Sequence, residues 1–140
     1  MERLFREAQG NDVAVSVILF DVDHFKSIND SLGHEQGDQV LKSLCERVRL
    51  VTRKSDLLCR MGGEEFTLVC PSSTLDDTVV LAEKLREAIG ATPLSGLGKV
   101  TCSFGVAVWV SSESLDQLFK QVDQAMYRAK AKDCNRVMRV

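Results

Sequence analysis

The first long apolar run, Val13–Phe20 (VAVSVILF), is continuous and rich in β-branched residues, the composition of a strand buried on both faces. Before it, Met1–Ala8 resembles the end of a helix, and Gly10-Asn11-Asp12 is a short polar break. After it, His24–Asn29 reads as a short helical turn. Gln36–Val51 repeats its apolar residues with helical period, setting Val40, Leu41, Leu44, Cys45, Val48 and Val51 on one face. Asp56–Met61 and Phe66–Val69 are apolar runs on either side of a glycine pair, which predicts a β-hairpin with Gly62-Gly63 as its two-residue turn. Leu75–Ile89 predicts a helix burying Val79, Ala82, Leu85 and Ile89. Lys99–Val110 predicts a strand kinked at Gly105. Leu115–Lys130 predicts a helix burying Leu118, Phe119, Val122, Ala125, Met126 and Ala129, and Arg136–Val140 a last short strand. The order β-α-α-β-β-α-β-α-β describes an α+β fold, a sheet covered by helices.

Composition narrows the function classes. With 140 residues the chain forms one domain, able to bury roughly two-thirds of its unfolded surface without staples. A net charge of −2 at pH 7 supplies no bulk attraction to nucleic acid or to an anionic membrane. No stretch approaches the ~20 apolar residues of a membrane span, and the N-terminus lacks a signal-peptide pattern. The expectation is a cytoplasmic domain with no nucleic-acid partner and no membrane insertion of its own. The cysteines, Cys45, Cys59, Cys70, Cys102 and Cys134, are odd in number, scattered and without a CxxC pair. They read as reduced thiols, not as a disulfide framework or a zinc site.

The chemistry lies in two acidic clusters. The buried first strand ends in Asp21-Val22-Asp23, and two carboxylates delivered by a buried strand are costly without a cation or hydrogen bonds. The bland alternative is that Asp21 and Asp23 cap the following helix. The second cluster is Gly62-Gly63-Glu64-Glu65-Phe66, where glycines leave little bulk at a hairpin tip and carboxylates stand beside it. A nucleotide could approach such a tip closely. Oxygen donors with no nearby Cys or His pair favour Mg²⁺ or Mn²⁺.

FDVDHFKSIND at 20–30, GHEQGD at 33–38, RMGGEEF at 60–66, CSFGVA at 102–107 and DQAMYRAK at 123–130 together resemble the GGDEF family of diguanylate cyclases. The resemblance runs from about Val13 to the C-terminus and implies a palm-like, ferredoxin-like or nucleotidyl-cyclase-like fold, a central antiparallel sheet flanked by helices. It implies that two GTP condense to cyclic di-GMP with release of two pyrophosphates, in a homodimer whose two domains face each other. On this likeness Asp21, the Val22 carbonyl and Glu64 hold the metal, and Glu64 and Lys26 are the catalytic residues. A metal-bound carboxylate is a weak base, so the metal role of Glu64 ranks above its role as base. Lys26 would hold the β- and γ-phosphates. Asn29 and Asp38 would read guanine, since a carboxylate accepts from N1–H and the 2-amino group, which adenine lacks. His34 would lie near the base or ribose, and Gly62, Gly63, Glu65 and Lys130 would complete the substrate site. Taken alone, Lys26 is a surface lysine and Asp38 an acid favoured by a helix N-terminus.

Arg53-Lys54-Ser55-Asp56 stands at the spacing of the family's RxxD inhibitory product site, with Lys84 where relatives often place a completing arginine. The plain alternative is an i,i+3 ion pair at a helix end. Two departures stand out. Nothing before Val13 contains the family's DxLTGLxNRR stretch, so the domain is expected to be truncated at its N-terminus and taken from a longer signalling protein with an upstream sensory domain. Asp133 and Cys134 replace the Gly-Arg of the family's xxGRN segment, leaving Lys130, and Lys132 or Arg136, for phosphate. Two alternatives stay open: a catalytically weak cyclic di-GMP receptor that signals through a partner, and a dimerisation domain only.

Overall fold

The apolar run becomes β1 (Val15–Val22), buried at every position because it lies at the centre of the sheet. The computed structural model describes residues 2–10, 13–91, 93, 99–110 and 113–140. Asn11 and Asp12 of the expected break lie outside the described residues, and Gly10 closes α1 (Glu2–Gly10) instead of following it. After β1 come α2 (Phe25–Leu32), α3 (His34–Val51), β2 (Leu57–Gly62), β3 (Glu65–Pro71), α4 (Leu75–Ala91), β4 (Cys102–Trp109), α5 (Leu115–Ala131) and β5 (Val137–Arg139). The sheet order is β2-β3-β1-β4-β5. Its centre is antiparallel, as expected, and β5 alone joins in parallel, beside β4.

Alternate residues of β1 feed two cores. Ile18, Phe20 and Val22 pack with Phe25 of α2, Val40, Leu41, Leu44 and Val48 of α3, and Ala82, Leu85 and Ile89 of α4. Val15, Val17 and Leu19 pack with Phe5 and Ala8 of α1 and with Leu118, Val122 and Met126 of α5. The sheet is therefore sandwiched between two helical layers, the α+β arrangement the pattern implies. Cys45, Val51 and Val79, and on the other side Phe119, are partly buried at the margins of these cores and not inside them. Only Cys70 and Cys102 of the thiols are buried, and all five are free.

Two glycine readings change. The hairpin turn is Gly63-Glu64, not Gly62-Gly63, because Gly62 pairs with Glu65 across the ladder. A register shift between Arg60 and Gly62 absorbs Met61 and moves the turn on by one residue. Gly105 does not kink β4. A Cβ there would lie 2.3 Å from Val122 O and 2.6 Å from Met126 N, so this glycine is what lets α5 lie directly on the strand.

Candidate active site

β1 carries its alternation past the apolar run, which turns Asp21 toward the α5 side of the sheet. Opposite it on β3 stands Glu65. On the other face, Phe20 stacks on Phe66 at 5.6 Å and on Phe104 at 5.3 Å, ring to ring across three strands. This aromatic row fixes the strand ends from which the acids project.

The Lys130 ammonium, from the last turn of α5, lies against Asp21 and is 3.5 Å from Asp23. Burial pushes the Asp21 carboxyl above its usual range, and the charges of Glu64 and Asp23 push it further, while Lys130 opposes them. Glu65 is raised by burial, then by Asp123, Asp21 and Glu64, with Lys130 again opposing. Burial works against the Lys130 charge, but Asp21 and Asp23 outweigh it and raise the Lys130 pKa. Asp123 is a member of this electrostatic cluster that sequence reasoning did not pick out, although it lies within the DQAMYRAK segment.

Asp23 behaves differently. Burial again raises it, but hydrogen bonds from Ser103, Thr101 and the Asn135 N–H, with the Lys130 charge, bring its pKa below normal. Neither acid caps α2, whose N-cap is His24 in a left-handed conformation (φ 57°) with no side-chain cap. The capping alternative is thereby removed.

Asp21 Oδ1 is buried, and its one close partner is the Lys130 ammonium. A buried anionic oxygen with only a neighbouring cation to balance it suits a hard metal ion. The donors expected from the family resemblance, the carboxylates of Asp21 and Glu64 and the Val22 carbonyl, are all oxygen, and the Glu64 charge acts on Asp21. Among the described residues no three His, Cys, Asp or Glu side chains gather into a self-contained metal cage. A small donor set that leaves positions to water and phosphates is the usual Mg²⁺ arrangement, so these residues fit Mg²⁺ or Mn²⁺.

The hairpin tip is open. Gly62 (φ 152°) and Gly63 (φ 51°) adopt backbone angles that favour glycine, and a Cβ on either would meet nothing within 4 Å. Arg60 Nε donates to Gly63 O at 2.8 Å, which holds the turn that presents Glu64. Lys26 is exposed in the first turn of α2, two residues after the left-handed His24, and His34 is exposed at the start of α3.

Asn29 lies over the backbone of α3. A Cβ on Gly37 would come within 1.9 Å of Asn29 Oδ1, which is buried and has no hydrogen-bond partner. Asp38, the next residue, is exposed at the rim of a pocket of about 450 Å³ floored by Leu41, Cys45, Leu58 and Phe66. Arg53, Asp56 and Lys84 line a separate pocket of about 310 Å³ on the α4 side of the molecule. Arg53 donates to Asp56, Pro71 O and Ser73 Oγ, yet its side chain stays 53% exposed, whereas that of Asp56 is 0% exposed. The Asp56 carboxylate accepts from both the backbone N–H and the guanidinium of Arg53 and so orients the latter.

An α+β palm with acids at the end of its central strand and beside a glycine hairpin defines a class of nucleotide-handling domains. The family described as "Diguanylate cyclase, GGDEF domain" matches residues 1–136, and the chain belongs to it. It is 47% identical over 123 residues to the diguanylate cyclase DgcM of Escherichia coli K12, covering 88% of this chain and 30% of that protein. It is 35% identical over 144 residues to the response regulator PleD of Caulobacter vibrioides NA1000, covering 99% of this chain and 32% of that one. The chain thus spans about a third of the length of these curated relatives. Among solved structures, the active GGEEF domain of a Vibrio cholerae diguanylate cyclase superposes with a TM-score of 0.90 at 29% identity, covering 98% of this chain and 89% of that one. The GGDEF domain of DgcB from Caulobacter crescentus, in complex with c-di-GMP, gives 0.89 at 29% identity, covering 98% and 84%.

Proposed function

We propose that this chain is a diguanylate cyclase domain, a nucleotidyltransferase that joins two GTP into cyclic di-GMP and releases two pyrophosphates. The observation that carries the reading is the buried Asp21 carboxylate at the end of β1, paired with Lys130 and under the charge of Glu64 from the hairpin turn, beside an open glycine tip. In this reading Asn29 and Asp38 hold the guanine edge over the apolar pocket floor, with His34 near the base or ribose. Lys26 and Lys130 neutralise the polyphosphate from opposite sides of the β1 end. Mg²⁺ or Mn²⁺, when bound at Asp21, Glu64 and the Val22 carbonyl, would stabilise the attacking 3′-oxygen and the departing pyrophosphate. Glu64 and Glu65 keep the tip anionic, and the bare glycines admit the nucleotide backbone.

Each domain holds one nucleotide, so turnover requires two copies opposed as a homodimer. Cyclic di-GMP, the product, would bind the Arg53/Asp56/Lys84 pocket and inhibit. There the exposed part of the Arg53 guanidinium supplies a fork for phosphate or a guanine edge. Lys84 supplies charge without a fork. We place the domain in the cytoplasm, as one folded unit of a signalling protein whose sensory part would set how often two copies meet. Among the described residues no helix is long and apolar enough to cross a membrane.

The test is product analysis after incubating concentrated protein with GTP, ATP or both in the presence of Mg²⁺. Cyclic di-GMP from GTP alone is expected, and Glu64→Gln should abolish it. Normal turnover by Glu64→Gln would remove Glu64 from the metal site. No product, with tight cyclic di-GMP binding, would transfer the reading to a receptor module.

A further inference from the structure

Asp23 is the most heavily bonded side chain beside the site, yet it has no part in the reading above. Its side chain is 1% exposed. Ser103 Oγ donates to its Oδ1 at 2.6 Å, and Thr101 Oγ1 donates to its Oδ2 at 2.6 Å. The Asn135 N–H reaches Oδ2 at 2.9 Å, and Lys130 Nζ stands 3.5 Å from Oδ1. Its own N–H donates to Thr101 O at 2.9 Å. A carboxylate with donors on both oxygens has little capacity left for a metal or a nucleotide. It acts on what it holds.

What it holds is the phosphate side of the site. Asp133, Cys134 and Asn135 take φ of 75°, 61° and 46°, three left-handed residues in a row with no glycine among them. Such a turn is intrinsically unfavourable and needs an anchor. The Asn135–Asp23 bond is an anchor buried on the β1 side. Lys130, at the end of α5, is shared between Asp21 and Asp23, which fixes its ammonium at the end of β1. With Cys134 in the turn, no guanidinium stands at that position, so Lys130 carries more of the charge.

We propose that Asp23 is a positioning residue for the polyphosphate arm of the bound nucleotide, acting through Lys130 and the left-handed turn Asp133–Asn135. The proposal rests on the GTP reading above, and the experiment separates the two. Asp23→Asn is isosteric, removes the charge facing Lys130 and sets an amide against donors. Binding of 3′-deoxy-GTP, which lacks the attacking hydroxyl and stays unreacted, is compared with binding of guanosine by calorimetry in Mg²⁺ buffer.

Asp23→Asn is expected to weaken 3′-deoxy-GTP about tenfold and leave guanosine within about twofold, since one charge-assisted contact is worth about a factor of ten. Combined with Lys130→Met, the two losses should be clearly less than additive. Unchanged binding of both ligands, or equal weakening of both, would make Asp23 a structural latch and overturn the proposal. If the unsubstituted protein binds guanosine as tightly as 3′-deoxy-GTP, the polyphosphate reading fails first and takes the proposal with it. Should Asp23→Asn not fold by circular dichroism, Ser103→Ala, which removes one donor from Oδ1, must show the same selective loss at about threefold. Its absence there refutes the role equally.

Discussion

Substituting Gly105 by alanine puts one methyl group where the fold has no room for it. The added Cβ would lie 2.3 Å from Val122 O and 2.6 Å from Met126 N, both backbone atoms of α5. No rotamer change relieves a clash with backbone, so the helix has to retreat by about 1 Å from a close-packed interface. That retreat loosens Leu118, Val122 and Met126, which fill the core on this side of the sheet. Overpacking typically costs about 1–3 kcal/mol, and a backbone clash belongs at the upper end, about 3 kcal/mol. For a domain of this size that lowers Tm by roughly 8–10 °C. Gly90→Ala is the control. Its Cβ, on α4, would meet only Thr101 Cγ2, ahead of β4, at 3.9 Å, an ordinary contact. It should stabilise by about 0.5 kcal/mol, the low end of the helix-propensity gain because the position is near the helix end. Urea unfolding of the two variants should give opposite signs. A Gly105→Ala protein within about 0.5 kcal/mol of the unsubstituted one would refute the close-approach argument and return Gly105 to a strand kink.

Gly37→Ala should cost about 1 kcal/mol in urea unfolding, because its Cβ would meet the tip of the Asn29 side chain at 1.9 Å and the buried Phe25 ring at 3.2 Å. The displaced amide should raise the KM for GTP about tenfold, the scale of one lost specific contact; an unchanged KM would take Asn29 out of base recognition. Asp133→Gly should stabilise by about 1 kcal/mol in thermal unfolding, since residue 133 has φ 75° where the Cys134 N–H closes back on Ala129 O after α5. No gain would mean that the aspartate side chain offsets its own strain. Arg53→Ala should relieve product inhibition in initial-rate assays and cost about 1–2 kcal/mol of stability, because it strips the guanidinium hydrogen bond from an Asp56 carboxylate with no exposed surface and leaves only the backbone N–H of residue 53 on it. Inhibition that persists would leave Arg53 a structural ion pair.

Elements were legible wherever a single chain segment carries its own signal. The run Val13–Phe20, the helical period of 36–51 and the two apolar runs flanking a glycine pair each declare their type locally, and each formed. The two acidic clusters were legible for the same reason, since a strand end and a hairpin bring them to one place. What stayed hidden depends on distant partners. Gly105 looks like a kink in isolation because nothing in KVTCSFGVAVWV reveals the helix that crosses it. The turn at Gly63-Glu64 follows from pairing Gly62 with Glu65, a register that no glycine pair specifies alone. Asp23 resembled Asp21 in sequence, yet it separates from Asp21 through Thr101, Ser103 and Asn135, which arrive from elsewhere in the chain. Gly37 was visible only as part of the GHEQGD motif, and its packing under Asn29 appears only when α2 lies across α3.

The arrangement carries a cost that explains its supports. The charges of Glu64 and Asp23 raise the proton affinity of Asp21, those of Asp123, Asp21 and Glu64 raise that of Glu65, and Lys130 opposes both effects. More anion than cation is held at the end of a buried strand, and such a site destabilises the fold that contains it. The opposing order is supplied locally by the Phe20–Phe66–Phe104 row beneath the acids and the saturated Asp23 beside them. A cationic ligand bound by the folded form alone neutralises the excess, so binding and stability are linked: whatever the site recognises also tightens the sheet end that presents it. On the proposed reading, the rigid supports hold this anionic centre in place for a substrate that arrives with a divalent cation.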